Sequence, residues 1–306
     1  MHQRREYGGD QNKPKQCVAR NQELRLCGLP PLRDSLISGE PTHKFLIHGK
    51  TQVTTLYFHL IVSYIIANEL PAPMRIAVIS DIHGNLAALQ RVLEIIDTLH
   101  VDTINCLGDI VGYGAQPNDC IELVQQRCRV IVRGNHDSGA LGEIPLDRFN
   151  PYGRSAIRWT RKNLTRENVQ FLKDLPLSAV DQEITYAHAS LPDPDAWRYV
   201  VTWPEARRCF SGFTTHLCFI GHTHVPAIVS EDGQVNLYRS NKRHLVNVGS
   251  IGQPRDGNPR AAFGFADTER NSLEIIRVEY DIESSARAIL KARLPDYLAQ
   301  RLFLGI

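Results

Sequence analysis

Five short polar runs contain the residues of this sequence that are best suited to chemistry. Each run follows a stretch of β-branched or apolar residues, so each lies where a predicted strand ends. Together they offer carboxylate oxygens, an amide oxygen and imidazole nitrogens, which are donors that bind divalent transition-metal ions. The runs are Asp81-Ile82-His83, Gly108-Asp109, Gly134-Asn135-His136-Asp137, His188 and Gly221-His222-Thr223-His224.

The runs supply enough donors for two neighbouring metal ions that share one carboxylate, and they leave one spare histidine. Two metal ions about 3.5–4 Å apart form a clamp for in-line attack on phosphorus by an activated water. Donors of mixed type favour Mn, Fe, Co, Ni or Zn over Mg or Ca. We therefore expect two divalent ions as cofactors and phosphoester hydrolysis as the reaction.

Taken singly, each run has an ordinary structural explanation. Asp after Gly, and Asn or Asp in a short loop, are common turn formers. A lone histidine such as His188 is more often a hydrogen-bonded residue than a metal ligand. The metal hypothesis rests on the conjunction, because turns alone do not require Asp, Asn and His at successive strand ends.

An alternation of strands and helices from Met74 onwards places the runs in one domain. This order is typical of a largely parallel sheet, and ligand sites in such sheets lie beyond the carboxyl ends of the strands. The predicted elements are strands at 74–80, 103–107, 128–132, 183–187 and 217–220, and helices at 85–99, 118–126, 153–174 and 204–210.

After Val225 the pattern changes to a meander, with Asp232-Gly233 as a hairpin signal. Two β layers flanked by helices account for the mixture of elements, which defines the fold class as α/β. The predicted elements are strands at 227–230, 235–238, 244–248, 261–266 and 273–280, and helices at 282–292 and 295–303.

The sequence changes character at Met74. Residues 1–50 are polar and lack a sustained period, which predicts loop or disorder. The apolar stretch 56–68 is shorter than the roughly 20 residues of a membrane span. No small-residue cleavage pattern follows it as in a signal peptide, so docking of this stretch on the domain is preferred over both a membrane span and a signal peptide. A further possibility is that 1–73 is not part of the working protein, and we favour it over a functional extension, with 74–306 as the catalytic domain.

Composition excludes several function classes. Residues 74–306 carry 26 Lys and Arg against 27 Asp and Glu, so no stable complex with nucleic acid is expected. The seven cysteines are odd in number and form no CxxC pair, which argues against a disulfide framework and favours a cytoplasmic setting. Cys106 and Cys218 fall inside predicted strands and are expected in the core. No membrane association is expected, and the sequence leaves the oligomeric state open.

The five runs, in this order, resemble the signature of the calcineurin-like metallophosphoesterase superfamily from Met74 to about Asp256. Residues 108–114 and 247–257 look like its small prokaryotic branch, described as phosphodiesterases or dinucleoside polyphosphate hydrolases. The resemblance implies two mixed β-sheets packed as a sandwich and flanked by helices. The implied ligands are Asp81, His83 and His224 for one metal, Asn135, His188 and His222 for the other, and Asp109 as the bridge.

The resemblance further implies that His136 faces the substrate, as a donor to phosphoryl oxygens or as an acid for the leaving oxygen. The protein phosphatases of the superfamily carry Asp and Arg three and four residues after the bridging Asp, where this sequence has Gly112 and Tyr113. Protein phosphatase activity is therefore not expected. Asn85 and Arg255 are candidate phosphate contacts, with turn formation and surface charge as equally weighted explanations.

The sequence thus predicts a hydrolase for a small phosphodiester or phosphoanhydride, nucleotides included. Two other functions stay open. A catalytically weak binding or scaffold module would lack some of the ligands, and none is missing here. A nuclease would need a basic or aromatic groove, which the charge balance of the catalytic region does not indicate.

Overall fold

The computed structural model describes residues 74–306, so the predicted extension 1–73 and its apolar stretch 56–68 lie outside the described residues. The strands are β1 (Arg75–Ile79), β2 (Thr103–Cys106), β3 (Val130–Ile131), β4 (Ser178–Asp181), β5 (Ile184–Ala187), β6 (Leu217–Ile220), β7 (Ala227–Ser230), β8 (His244–Asn247), β9 (Ala261–Asp267) and β10 (Ser272–Val278). The α-helices are α1 (Leu86–Thr98), α2 (Pro117–Arg127), α3 (Asn135–Leu141), α4 (Pro151–Asn163), α5 (Arg166–Asp174), α6 (Trp203–Cys209), α7 (Ile282–Lys291) and α8 (Asp296–Leu304).

These strands form two mixed five-stranded sheets. The first has the order β10-β9-β1-β2-β3, and the second has the order β4-β5-β6-β8-β7. In the first sheet β1, β2 and β3 run parallel, while β9 and β10 are antiparallel additions. In the second sheet β5, β6 and β8 run parallel, with antiparallel β4 and β7 at the edges. The predicted fold class is confirmed.

The sheets pack face to face through a buried apolar layer. Ile76 and Val78 of β1 belong to this layer, together with Tyr186 of β5 and Phe219 of β6. Because side chains alternate along a strand, Ile79 faces the opposite way and packs in the cluster that includes the buried faces of α1 and α2. The chain is therefore layered as helices, sheet, sheet and helices.

The C-terminal helices enclose a separate apolar cluster. Ile289 of α7 and Leu298 and Leu302 of α8 pack there with Tyr113, which lies in the loop after β2. This packing brings the end of the chain next to the loop that follows Asp109.

The sequence prediction was wrong about residues 235–238. The turn at Asp232-Gly233 forms, but Val235 makes only an isolated bridge with Val229. Val235 and Leu237 remain 59% and 43% exposed, so a longer hairpin would bury little apolar surface. The main partner of β7 is instead β8, whose residues are buried.

Two other features were also predicted incompletely. The helical region 153–174 consists of α4 and α5, because Thr165 caps α5 by accepting the backbone N–H of Asn168 at 3.2 Å. The edge strand β4 was missed because its four residues alternate between exposed and half-buried.

Cys106 and Cys218 lie in the core as predicted. Among residues 74–306, no helix has the length and apolar character of a membrane span.

Candidate metal centre

The polar runs meet at the carboxyl ends of the parallel strands of both sheets. Asp81 follows β1 and Asp109 follows β2, while His188 follows β5 and both His222 and His224 follow β6. Each of these residues is buried, with at most 6% of its surface exposed. The convergence predicted from the strand ends is therefore present in the structure.

The backbone at the site is strained. Several of the candidate ligands have φ between 48° and 67°, namely Asp81, His83, Asp109, His222 and His224. For a residue other than glycine, this left-handed conformation costs on the order of 1–3 kcal/mol, and such residues cluster at functional sites. Two glycines allow the backbone to pass close to the two carboxylates. A Cβ at Gly134 would lie 2.1 Å from Asp109 Oδ1, and one at Gly221 would lie 2.4 Å from Asp81 Oδ2.

His83 and His224 present lone pairs to each other and to Asp81. His83 Nδ1 donates to the carbonyl of Val111 at 3.2 Å, and His224 Nδ1 donates to that of Gln253 at 2.5 Å. Because a carbonyl only accepts, the hydrogen of each neutral ring sits on Nδ1 and Nε2 carries a lone pair. The two Nε2 atoms are nevertheless 3.2 Å apart, and His224 Nε2 lies 3.1 Å from Asp81 Oδ1.

A second pair of histidines is anchored through backbone carbonyls in the same way. His188 Nδ1 donates to the carbonyl of Leu107 at 2.9 Å, and His222 Nε2 donates to that of Trp197 at 3.0 Å. The opposite nitrogens, His188 Nε2 and His222 Nδ1, face each other at 3.2 Å. Asn135 Oδ1 lies 3.2 Å from His188 Nε2, so an amide oxygen joins this group.

Asp109 lies between the two histidine groups. Its Oδ2 is 3.7 Å from His83 Nε2 and 3.4 Å from His188 Nε2. Its Oδ1 accepts the backbone N–H of His136 at 2.7 Å, which fixes the orientation of the carboxylate. One oxygen of Asp109, Oδ2, therefore lies near an imidazole nitrogen of each histidine pair.

The electrostatics keep the carboxylates ionised and the imidazoles neutral, with the exception of His188, whose pKa the two carboxylates raise. Burial raises the pKa of Asp81 and Asp109, but interactions with neighbouring histidines, led by His224 at Asp81 and by His188 at Asp109, hold both pKa values below the ordinary range. Burial lowers the pKa of His222 to about 3. An anionic carboxylate and a neutral imidazole are the forms that bind metal ions.

This donor set fits divalent metal ions. Asp81 Oδ1 is buried and accepts no hydrogen bond among the residues that the structure describes. Buried imidazole nitrogens that face one another beside carboxylates form an environment that a bound cation would stabilise. Within each of three groups the donor atoms lie within 4.8 Å of one another, and the groups are Asp81–His83–His224, His83–Asp109–His136 and Asp109–His188–His222.

His136 lies beside the candidate metal ligands, but its ring is held by aromatic packing and not by a hydrogen bond to a backbone carbonyl. Its Nδ1 is buried and has no hydrogen-bond partner within residues 74–306. Its ring packs against Tyr113 and Phe149, with centroid distances of 4.5 and 5.1 Å. Gly112 lies against this nitrogen, since a Cβ there would be 2.6 Å from Nδ1. Aromatic packing thus orients His136 in place of the Asp that the superfamily's protein phosphatases carry at the position of Gly112. Burial lowers the pKa of His136 to about 4.

The structure does not bring the side chain of Asn85 to the candidate metal ligands. Its Oδ1 caps α1 by accepting the backbone N–H of Ala88 at 3.2 Å. Its Nδ2 donates to the carbonyl of Gly252 at 3.0 Å and to the hydroxyl of Tyr280 at 3.3 Å. The side chain is therefore fully engaged inside the protein.

Arg255, by contrast, lies at the site. Its backbone N–H donates to the carbonyl of His224 at 3.3 Å. Its guanidinium donates to Gln253 Oε1 at 2.8 Å and to the hydroxyl of Tyr113 at 3.3 Å. Of the two candidate phosphate contacts, the geometry supports only Arg255.

A cavity of about 510 Å³ opens over Asn135, His136 and His222. Its aromatic wall residues are Tyr113, Phe149, Trp197 and Tyr199. The ring of Tyr199 stacks on His222, with the centroids 4.2 Å apart. Trp197 and Tyr199 were missed from the sequence, because they belong to a loop between β5 and α6 that has no periodic pattern.

With this geometry in view, comparison with known proteins is informative. Residues 74–271 match the calcineurin-like phosphoesterase superfamily domain, and the chain belongs to that superfamily. An uncharacterised protein of Methanocaldococcus jannaschii is 44% identical over 240 residues, which cover 75% of this chain and 98% of that protein. The predicted resemblance is therefore confirmed.

Two relatives carry a stated activity. The crystal structure of a metallophosphoesterase from Sphaerobacter thermophilus is 40% identical, has a TM-score of 0.69, and matches 76% of this chain and 100% of its own. Phosphodiesterase YfcE of Escherichia coli is 26% identical over 203 residues, which cover 64% of this chain and 89% of YfcE. The protein is thus a metal-dependent phosphoester hydrolase.

Proposed function

We propose that the protein is a dinuclear enzyme that hydrolyses a phosphodiester or phosphoanhydride bond of a small substrate, nucleotides included. The observation that carries the proposal is the two pairs of imidazole nitrogens that face each other at 3.2 Å around one shared carboxylate. Two separate cations explain two separate pairs, and Asp109 is in reach of both.

Each metal has a proposed set of ligands. Divalent ions bound there would lower the pKa of a coordinated water toward neutrality and offset negative charge on phosphoryl oxygens. Mn, Fe, Co, Ni or Zn suits these donors. The sets are Asp81, His83 and His224 for the first ion, Asn135, His188 and His222 for the second, and Asp109 for both.

The chain's own residues then bind and orient the substrate. His136 lines the cavity and is neutral at pH 7, so its N–H can donate to a phosphoryl oxygen or to the leaving oxygen. The positive charge of Arg255, positioned by Gln253 and Tyr113, attracts the phosphate. The aromatic wall of the cavity excludes water and favours a flat leaving group.

Three observations support small diesters or anhydrides over phosphoproteins as substrates. Gly112 and Tyr113 occupy the positions where the superfamily's protein phosphatases carry Asp and Arg. The cavity has room for a small molecule, and its walls are aromatic. YfcE, a relative over most of its length, is named a phosphodiesterase. No stable nucleic-acid complex is expected, and a cytoplasmic location stays a prediction.

The proposal is tested by metal removal and metal counting. Protein stripped with a chelator should lose hydrolysis of bis(p-nitrophenyl) phosphate and regain it with Mn, Co or Ni. Elemental analysis should find about two ions per chain, fewer in His224→Ala, and almost none in Asp109→Ala. His100→Ala, at an exposed histidine outside the site, is the matched control.

Other outcomes would point elsewhere. Full activity after metal removal would exclude the two-metal mechanism. Two bound ions without hydrolysis of any phosphomonoester, diester or dinucleoside polyphosphate would indicate a binding module on the same fold. Rapid cleavage of polynucleotides alone would indicate a nuclease.

A further inference from the structure

One aromatic ring beside the second histidine pair has an open face. The ring of Tyr199 stacks on that of His222, with the centroids 4.2 Å apart and an interplanar angle of 22°, so one of its faces is covered. Tyr199 is nevertheless 51% exposed, and it lines the cavity over the candidate metal ligands. Its other face is therefore a flat apolar surface that is accessible from the cavity.

The aromatic residues of the cavity wall differ in how much of each ring is accessible. Tyr113 and Phe149 are only 4% and 8% exposed, so packing within the protein covers most of their surface. Trp197 is partly exposed, and its ring meets that of His188 edge to face, with the centroids 6.0 Å apart. Tyr199 and Trp197 are therefore the wall residues with ring surface left for a substrate.

The ring of Tyr199 is held in a fixed orientation. The guanidinium of Arg255 donates a hydrogen bond to its hydroxyl, and burial raises the pKa of Tyr199 although its ring is half exposed. Arg255 also donates to the hydroxyl of Tyr113 at 3.3 Å, which joins the loop of Tyr199 to the loop after β2. Because the ring is held at its hydroxyl and at its covered face, a ligand on the open face would immobilise it little further.

The backbone of the same loop is held against the metal centre. Trp197 has a φ of 50°, a left-handed conformation that is uncommon for a bulky residue and that clusters at functional sites. Its carbonyl accepts the Nε2–H of His222 at 3.0 Å. The positions of Trp197 and Tyr199 are therefore tied to a candidate metal ligand.

We propose that Tyr199 and Trp197 form a stacking platform for an aromatic ring that the substrate carries near its phosphoryl group. Aromatic side chains bind flat rings such as nucleobases through their π faces. The cavity of about 510 Å³ has the size of a small-molecule site. Since Tyr199 contacts His222 directly, a short linker suffices to join the ring to the phosphoryl group.

The inference rests on the proposed hydrolytic function and narrows its substrate class. It selects esters or anhydrides that carry a nucleobase or another aryl group close to the bond that is cleaved. A phosphodiester of two aliphatic alcohols would leave the open face of Tyr199 without its ligand.

Calorimetric binding of phosphonates to the manganese-loaded protein tests the platform without relying on catalysis. One probe is an acyclic adenine phosphonate, in which a short ether chain joins adenine to the phosphonate group. Its partner has the same chain and phosphonate without the base. The wild-type protein should prefer the adenine probe, and the ratio of the two affinities should fall about 10-fold in Tyr199→Leu, the scale of losing one stacking contact.

A second pair of probes distinguishes a nucleobase from a simple aryl group. Phenylphosphonate and cyclohexylphosphonate have the same charge and similar size, but the first alone is aromatic. Stacking predicts tighter binding of phenylphosphonate, and Tyr199→Leu should remove this preference. A fall in the phenyl ratio alone assigns the platform to an aryl group, and a fall in the adenine ratio assigns it to a nucleobase. Either fall supports the platform.

Three other variants separate stacking from a structural role of Tyr199. Tyr199→Phe keeps the ring and should keep most of the adenine ratio, while Trp197→Leu removes the second ring and should lower it. Tyr152→Leu is the matched control, because Tyr152 is 41% exposed and stacks on Tyr297 outside the cavity. It should keep the wild-type ratio.

Several results would overturn the platform. If Tyr199 only supports His222, Tyr199→Leu weakens both members of each probe pair equally and leaves both ratios unchanged. A Tyr199→Phe variant that loses the ratios as fully as Tyr199→Leu would show that the ring is not the binding element. Equal affinities within each probe pair in the wild-type protein would exclude the platform without any variant, so the test does not depend on how the variants fold.

Failure of the platform and failure of the hydrolytic function have different signatures. If the metal-loaded protein hydrolyses no phosphoester while the ratios depend on Tyr199, the hydrolytic function fails and the platform stands as a binding site. If the protein hydrolyses diesters with manganese while neither ratio depends on Tyr199, the platform fails and the hydrolytic function stands.

Discussion

His188 Nε2 lies 3.4 Å from Asp109 Oδ2, and both side chains are buried. Burial lowers the pKa of His188, but the charges of Asp109 and Asp81 outweigh it and raise the pKa to about 9. In the metal-free protein at neutral pH, His188 is therefore the histidine that carries a proton between the carboxylates. A metal ion that binds His188 Nε2 must displace this proton.

We predict that metal uptake releases a proton at neutral pH. Because His188 is protonated up to about pH 9, the apparent manganese affinity should rise with pH until that value. Calorimetry at pH 7.5 in buffers of different ionisation enthalpy should give a release of about one proton per chain. An observed enthalpy that is independent of the buffer would contradict the proton assignment.

The same group should make the stability of the metal-free protein depend on pH. The pKa of His188 is about 9 in the folded chain against 6.5 as its ordinary value, so the folded state holds more protons between these pH values. Its contribution to stability is complete below pH 6.5 and is lost as pH rises through 9. Urea denaturation of the metal-free protein from pH 6 to 10 should show this fall. In the control variant His188→Asn, the part of the fall in unfolding free energy that comes from deprotonation of His188 should be absent.

His136 should affect turnover without affecting metal content. Its ring packs against Tyr113, Phe149 and His83, and within residues 74–306 no hydrogen bond joins its side chain to a candidate metal ligand. His136→Ala should retain bound metal and reduce kcat about 10²-fold or more, the scale of losing an acid or an electrostatic donor. His100→Ala should behave like wild type. If His136→Ala instead loses metal, His136 is a ligand and its proposed role is wrong.

The candidate ligands were predictable because they follow strands. β-branched runs indicate where β1, β2 and β6 end, and parallel strands bring their carboxyl ends together. The sequence alone therefore places Asp81, Asp109 and His222 in one site. Helix α1 was equally clear, since its buried residues recur at helical spacing.

Residues that reach the site through irregular backbone could not be predicted in this way. Trp197 holds His222 through a carbonyl, a contact that any residue type could make, so the sequence contains no signal for it. The role of Asn85 could not be decided either, since an Asn that caps a helix and an Asn that binds phosphate look the same in sequence.

Substrate preference should exclude phosphoproteins. The backbone at Gly112 has φ of +124°, and a Cβ there would also lie 2.9 Å from His83 Nδ1, so the site has no room for the Asp of protein phosphatases. We expect kcat/KM for a phosphotyrosine or phosphoserine peptide to be lower than for bis(p-nitrophenyl) phosphate and for a dinucleoside polyphosphate, all measured with manganese. A phosphopeptide that is hydrolysed faster than every small diester or anhydride would disprove this preference.

Starting the chain at Met74 should cost little activity and little stability. The backbone N–H of Met74 donates to Thr268 Oγ1 at 2.7 Å, and its carbonyl accepts the N–H of Thr268 at 2.9 Å, so the residue just before β1 is already anchored to the end of β9. The superfamily match begins at the same residue, which supports treating 1–73 as an extension. The melting temperature and the rate of manganese-dependent diester hydrolysis should be similar for chains 74–306 and 1–306. The apolar stretch 56–68 is the main risk, because its loss would expose any apolar surface that it covers. If the shorter chain is insoluble or inactive while 1–306 is active, the extension belongs to the fold and the boundary at Met74 is wrong.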